Sequence, residues 1–171
     1  MLNRRAFGIA GLSAITALGF ALAFRRPGTA ETPRTFNVTK TAEEWRTQLT
    51  PEQFRILRQH GTERAHSSPL DKHYEPGTYL CAGCDQPLFT SETKYDSGTG
   101  WPSFWQPIEG AVGTSEDRQL FTVRTEVHCS RCGGHLGHVF EDGPQPTGLR
   151  YCMNGTAMKF VAADRSSEER S

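Results

Sequence analysis

The chain has 171 residues, enough for one domain with its own core and too few for two. Its 19 basic and 19 acidic residues balance, but Arg4, Arg5, Arg25 and Arg26 all precede the first acid, Glu31, so the remainder is mildly acidic. Nucleic-acid binding relies on neutralising phosphates, and this remainder has no basic stripe to do it, so nucleic acid is excluded as a partner.

The first 30 residues read as an export signal or membrane anchor followed by a linker. Asn3-Arg4-Arg5-Ala6-Phe7 resembles a twin-arginine signal, and Ala6 to Phe24 carries no charge. Ala21-Leu22-Ala23 offers small residues at cleavage spacing. An uncleaved stretch of this kind comes close to the roughly 20 residues that cross a bilayer. The expected location is therefore outside the cytoplasm, in a bacterial periplasm reached by a twin-arginine-type route. Membrane contact is expected only through this segment, as an anchor if it is not cleaved.

Pro27 to Pro33 is a polar linker, and two helices follow. Thr41 with Glu44 has capping-box spacing, and Thr50-Pro51-Glu52-Gln53 repeats it with proline at the first helical position. Phe54, Ile56 and Leu57 supply an apolar stripe, Gly61 is the expected stop, and both helices are assigned to packing rather than chemistry. From Gly77 onward short apolar runs, such as Thr78-Tyr79-Leu80, Leu88-Phe89 and His138-Val139-Phe140, sit between Gly, Pro, Asp and Ser. Phe121 and Val123 alternate with Thr122 and Arg124, which predicts a half-buried strand there. The texture is that of short antiparallel strands. A domain is expected over 37–163, with 164–171 a polar tail.

Five cysteines divide into four and one. Cys81-Ala82-Gly83-Cys84 and Cys129-Ser130-Arg131-Cys132 are two Cys-x-x-Cys pairs with Gly83 and Gly133 beside the sulfurs. Two such pairs match the four tetrahedral thiolates of a closed structural zinc site, iron being the other metal the pattern fits. Two disulfides, or two separate redox motifs, are the alternatives. Four thiolates would leave no open position for a zinc-bound water, which argues against a zinc hydrolase. The fifth cysteine lies in Arg150-Tyr151-Cys152-Met153-Asn154, downstream of His135-Leu136-Gly137-His138. A nucleophilic thiolate needs nearby cationic or hydrogen-bonding groups, and a histidine can donate a proton to a leaving oxygen. A buried packing cysteine and ordinary polar histidines are the alternatives that the residues alone leave open.

Gly98-Thr99-Gly100-Trp101-Pro102-Ser103-Phe104, His135-Leu136-Gly137-His138-Val139-Phe140 and Arg150-Tyr151-Cys152-Met153-Asn154 resemble, in order, the three signatures of B-type methionine sulfoxide reductases. The similarity runs from about Val38 through Phe160 and includes Gly61-Thr62-Glu63. It implies a mainly β fold of two small antiparallel sheets, a β-tent, with N-terminal helices. It also implies one structural Zn2+ on Cys81, Cys84, Cys129 and Cys132. Cys152 would attack the sulfoxide sulfur of the R epimer and become a sulfenic acid. His138 and His135 would protonate or polarise the sulfoxide oxygen, Asn154 would hold that array, and Trp101 would pack on the substrate methyl. Arg150 and Asp142 would support the site.

The implied substrates are oxidised proteins or peptides, and the implied partner is a thioredoxin-like or other thiol reductant. Many family members carry a recycling cysteine where this chain has Thr99. With the other four cysteines assigned to metal, an external thiol is expected to complete the cycle. A zinc-ribbon binding module and an exported thiol oxidoreductase are the rival readings.

Overall fold

Two threonines open the two helices. In the computed structural model, which describes residues 35–119 and 122–164, helix α1 (Ala42–Gln48) starts after Thr41. The Thr41 hydroxyl accepts from the Glu44 amide, and the Glu44 carboxylate accepts from the Thr41 amide. Helix α2 (Pro51–Gln59) repeats the device with Thr50 and Gln53, and buries Phe54, Ile56 and Leu57. Pro51 sits in the first turn, where its missing N–H has no helical partner to lose. The end of α2 differs from expectation. His60 takes the left-handed turn at φ 53°, and Gly61 follows it. Gly61 answers a different need, because a Cβ there would meet the Arg55 carbonyl oxygen at 2.8 Å.

Strands β1 (Gly77–Cys81), β2 (Pro87–Thr90) and β9 (Met158–Ala162) form an antiparallel sheet with β1 in the middle. Six further strands form the second sheet: β3 (Lys94–Tyr95), β4 (Ser103–Phe104), β5 (Val112–Gln119), β6 (Thr122–Cys129), β7 (His135–Phe140) and β8 (Arg150–Met153). Their order is β3-β4-β8-β7-β6-β5, antiparallel throughout. The chain is thus mainly β, with two antiparallel sheets and few helices, as the sequence implied. Among the described residues no helix is long and apolar enough to cross a membrane. The export segment lies outside the described residues, as does the polar tail beyond Asp164.

Aromatic rings join the sheets. Phe89 of β2 stacks on Phe104 of β4 with centroids 4.3 Å apart, and Tyr79 of β1 meets Phe104 edge-on at 4.9 Å. All three are fully buried, with Met153 and Leu136 beside them in the core. Each such side chain contributes roughly 1.5–3 kcal/mol relative to exposure, so this contact holds the two sheets together.

The expected half-buried strand at 120–124 is corrected. Strand β5 ends at Gln119 and β6 begins at Thr122, leaving Leu120 and Phe121 outside the described residues. Val123 is 62% exposed. It pairs with Arg118 beside the turn of the hairpin, away from the buried half of β6, so its alternation has no core to face. The buried half of β6 comes later, from Glu126 to Cys129.

Candidate active site

Directly opposed residues of antiparallel strands share a face. Across the larger sheet this makes one row: Ser103 on β4, Cys152 on β8, His138 on β7, Glu126 on β6 and Ser115 on β5. His135 lies three residues before His138, and a regular strand would turn it to the other face. The β6–β7 register shifts between Val127 and His128, so Leu136 opposes no residue between the Gly137 and His135 pairings. That bulge restores His135 to the side of the row. Its ring centroid lies 5.4 Å from that of His138.

A carboxylate of the β5–β6 hairpin holds each histidine. His138 Nε2 lies 2.8 Å from Asp117 Oδ2, and His135 Nδ1 lies 2.7 Å from Glu126 Oε1. An ionised carboxylate can only accept, so the facing ring nitrogens carry the protons. Glu126 also accepts from Ser115 Oγ at 2.5 Å and from His60 Nδ1 at 2.9 Å. Burial would raise the Glu126 carboxyl, but the bonds from His135, His60 and Ser115 outweigh it and hold it well below the usual range. For His138 the balance tips the other way. Burial lowers its imidazole below the ordinary value, against the raising effect of Asp117.

Cys152 is partly buried, and burial pushes its thiol up while Thr99 and Arg150 pull it down. The Thr99 hydroxyl lies 3.9 Å from its sulfur. Arg150 forms a two-pronged pair with Asp142, both contacts at 2.8 Å, two residues along β8 on the same face as Cys152. Cys152, His138, Asn154 and Trp101 line a cleft of about 130 Å³ together with Thr62, Arg124, Gly137 and Phe140.

The far wall of the cleft is fixed by one buried residue, Glu63. Its backbone carbonyl accepts from Trp101 Nε1 at 3.2 Å, and its amide donates to Asn154 Oδ1 at 2.9 Å. Its carboxylate accepts from the Gly155 and Thr156 amides at 2.6 and 2.8 Å. Asn154 Nδ2 in turn donates to the Leu136 carbonyl at the bulge, 3.0 Å away. One residue therefore orients the tryptophan, the asparagine and the turn after β8.

The four remaining cysteines gather between the sheets. Cys81 ends β1 in the small sheet and Cys129 ends β6 in the large one. The two turns have the same form. Cys81 donates to the Gln86 carbonyl and accepts from the Asp85 amide; Cys129 does the same with Gly134 and Gly133. Asp85 and Gly133 hold the matching left-handed position, at φ 57° and 67°. The glycine that matters in the first turn is therefore not Gly83, because an aspartate tolerates that conformation. The sulfurs lie within 4.8 Å of one another, with Cys81–Cys132 at 3.7 Å and Cys84–Cys129 at 3.5 Å. No disulfide can have that separation. Zinc–thiolate bonds of about 2.3 Å in a tetrahedron place sulfurs roughly 3.8 Å apart, so the donor set fits such an ion.

Comparison with known proteins decides the family. The SelR domain model matches residues 49–162. The peptide methionine sulfoxide reductase MsrB of Leptospira interrogans serogroup Icterohaemorrhagiae serovar Lai is 56% identical over 126 residues, 73% of this chain and 96% of that protein. The chain belongs to the MsrB family. The MsrB of Agrobacterium fabrum is 57% identical over 72% of this chain and 92% of its own length. That of the archaeon Methanosarcina mazei is 52% identical over 78% of this chain and 96% of its own. A crystal structure of the Mis18 'Yippee-like' domain shares 18% identity and a TM-score of 0.44 over 53% of this chain and all of its own.

Of the residues carried over from the MsrB resemblance, Cys152, His138, Asn154 and Trp101 line the cleft, and the four paired cysteines form the sulfur cluster. His135 stands beside His138, and Arg150 pairs with Asp142 outside the cleft lining. The structure also adds residues that the motifs do not contain: Asp117, Arg124, Glu126 and His60. Three of them sit on β5 and β6 at the period of two that Ser115/Asp117 and Arg124/Glu126 follow. That alternation is visible in the sequence, but it reads as a solvated face until the hairpin is laid beside β7. His60 was assigned, with α2, to packing; its left-handed turn instead aims its ring at Glu126.

Glu126 gives this MsrB site a pH signature. Its folded value is depressed, so its stabilisation is present above the unfolded carboxyl value of about 4.3 and is lost as pH falls through the folded value. Glu126→Gln is expected to lower the melting temperature at pH 7. It should also flatten the decline of melting temperature with falling pH below about 4.3; a variant whose acid decline matches the wild type would contradict this.

Proposed function

We propose that this MsrB chain reduces the R epimer of methionine sulfoxide in proteins or peptides, with Cys152 as nucleophile and His138 as proton donor, and so repairs oxidative damage. One observation carries the reading: Cys152 and His138 stand opposite each other on adjacent strands, in a cleft walled by Trp101. The relatives named peptide methionine sulfoxide reductase MsrB support the same activity. One enzyme type serves each sulfoxide epimer. Residues 37–163 constitute the reductase domain in this reading.

The chemistry follows from what each group can do. A sulfoxide is a poor electrophile until its oxygen is protonated. The Cys152 sulfur supplies an electron pair to the sulfoxide sulfur while His138 donates to the oxygen, His135 supporting the local charge. The S–O bond breaks and the oxygen ends on Cys152. Net, a thiol and a sulfoxide become a sulfenic acid and a thioether. Cys152 loses two electrons, the sulfoxide gains them, and the thiol proton replaces the one that His138 gives to the oxygen. Trp101 offers an aromatic wall to the substrate methyl, so the sulfur configuration is read by which substituent meets that wall and which meets the histidines. Asn154 holds the wall to the bulge, and the Arg150–Asp142 pair places a cation near the sulfur.

The sulfenic acid must then be reduced. Thr99 stands beside Cys152 and is no thiol, while the other four cysteines form the sulfur cluster. In this reading an external reductant, thioredoxin-like or a small thiol, supplies two thiols, leaving as a disulfide with release of water. The sulfur cluster holds one Zn2+ as a structural clip. The ion supplies no step of the reaction. It joins the end of β1 to the end of β6, and thereby sets the small sheet against the strands that carry Glu126 and His135. Arg4-Arg5 and the uncharged stretch to Phe24 support export by a twin-arginine-type route, with membrane attachment only through an uncleaved segment. That route carries folded cargo, so a bound metal would protect the four thiolates before they meet an oxidising compartment.

Five outcomes test this reading. Cys152→Ser is expected to abolish reduction of the R sulfoxide with zinc content intact, and His138→Ala to slow it by roughly 10²–10⁴-fold. Wild type given substrate without reductant should gain one oxygen at Cys152 and no disulfide by mass spectrometry. Full activity in Cys152→Ser would end the proposal. Cys84→Ser should lose the metal by elemental analysis and melt earlier, because metal binding is folding free energy here; unchanged melting without metal would remove the structural role. Replacing Arg4 and Arg5 with lysine should block export in cell fractionation, and undiminished export would point to another route.

A further inference from the structure

Asp117 and Arg124 are paired across the β5–β6 hairpin and lie in none of the motifs that mark the family resemblance. A single carboxylate oxygen, Asp117 Oδ2, accepts from the Arg124 guanidinium at 2.7 Å and from His138 Nε2 at 2.8 Å. The contacts are sheltered: the side chains of Asp117 and His138 are 15% and 10% exposed. Arg124 and His138 line the same cleft as Cys152. We propose that Asp117 is a positioning residue for proton donation by His138, and that Arg124 sets the strength of its hold by competing for the same oxygen. The inference rests on the reading of His138 as proton donor to the sulfoxide oxygen.

A neutral imidazole has one N–H. Here that N–H is committed to Asp117, which leaves the other ring nitrogen for the substrate. Held this way, His138 can donate to a sulfoxide oxygen from that second nitrogen only as an imidazolium. A buried carboxylate beside an imidazole fixes its orientation and stabilises the cation that forms. The surroundings of His138 otherwise oppose it. Burial disfavours the imidazolium, as do Arg124 from β6 and His135 from its own strand. Glu126, opposite His138 on β6, has its oxygens taken by Ser115, His60 and His135, and Cys152 stands on the other side, on β8.

Among these groups facing His138, Asp117, two strands away on β5, is therefore the carboxylate whose oxygen His138 itself binds. The protons balance. His138 lends one to the departing oxygen and recovers one from the Cys152 thiol, so the net step stays thiol plus sulfoxide to sulfenic acid plus thioether.

The test follows the His138 ring directly. In the full, zinc-loaded chain, the ring titration of His138 is followed by NMR in wild type, Asp117→Asn and Arg124→Gln. The rate of Cys152 sulfenic acid formation in a single turnover is measured alongside. Losing the negative charge in Asp117→Asn is expected to lower the titration midpoint by about one unit. That reduces the imidazolium fraction, and with it the turnover, about tenfold at a pH above both midpoints. Arg124→Gln frees the oxygen for His138 and should move the midpoint the opposite way, upward.

Opposite shifts support the proposal, because a merely structural role would not move the midpoint in two directions. Midpoints unchanged in both variants, or moved the same way, overturn it while leaving the nucleophile intact. If His138→Ala turns over at the wild-type rate, the proton-donor reading falls and this inference with it. Should Asp117→Asn lose zinc or melt early, Arg124→Gln decides alone: an upward shift supports the role and no shift overturns it.

Discussion

The pairing of β7 with β8, and the bulge opposite β6, is the constraint on which the rest of the site depends. Register on one side places His138 against Cys152, and the single extra residue Leu136 on the other side restores His135 to the same face. A strand has no freedom to make small corrections, since a slip of one residue exchanges its faces. Gly137 shows how tightly the register is held. A Cβ at that position would meet the Cys152 carbonyl oxygen at 2.1 Å, so the two strands approach more closely there than any side chain would permit. The positions of Cys152 and His138 are thus set by backbone pairing, with side-chain contacts orienting the ring.

Around that pairing the polar groups fall into two sets with different functions. Asp117 and Glu126 act on the histidines from the open side of the sheet, through ring nitrogens. Glu63 acts from the opposite wall, where it binds backbone amides and holds Asn154 and Trp101 in place. Each buried carboxylate is matched by several donors, which is the condition under which a charge can stay buried without a large penalty. Cys152 has no such full set. Burial pushes its thiol up, with Thr99 and Arg150 pulling the other way.

The sulfur cluster and the aromatic stack divide the task of joining the sheets. Phe89, Phe104 and Tyr79 fill the space between them, while Cys81, Cys84, Cys129 and Cys132 clip them at one edge. A domain of this size that carries few helices gains from such a clip, because its core alone buries limited apolar area. The clip also lies only three residues from Glu126 along β6 and from His135 along the chain. The sulfur cluster and the row across the larger sheet therefore share a strand without sharing a residue.

Residue pattern alone determined much of this protein. The Thr–Glu and Thr–Gln spacings determine where both helices begin, since a capping box needs only local geometry. Two Cys-x-x-Cys pairs point to a four-sulfur set, and the resemblance to B-type methionine sulfoxide reductases, rather than the residue types alone, singles out the motifs around Cys152 and His138. The tertiary structure alone decided other things. His135 and His138, three apart, meet only because of a bulge that no periodicity reveals. The alternation around Val123 points it inward, yet it lies beside the turn of a hairpin where no core covers it. Asp117, Arg124 and Glu126 read as a solvated charged face until β5 and β6 are placed beside β7. His60 and Glu63 reach the site across 66 and 91 residues of chain respectively, to Glu126 and Asn154. Local propensity and motif spacing are properties of neighbours in sequence. Which charged residues share a buried face is a property of strand register, and register is settled only when the whole sheet has formed.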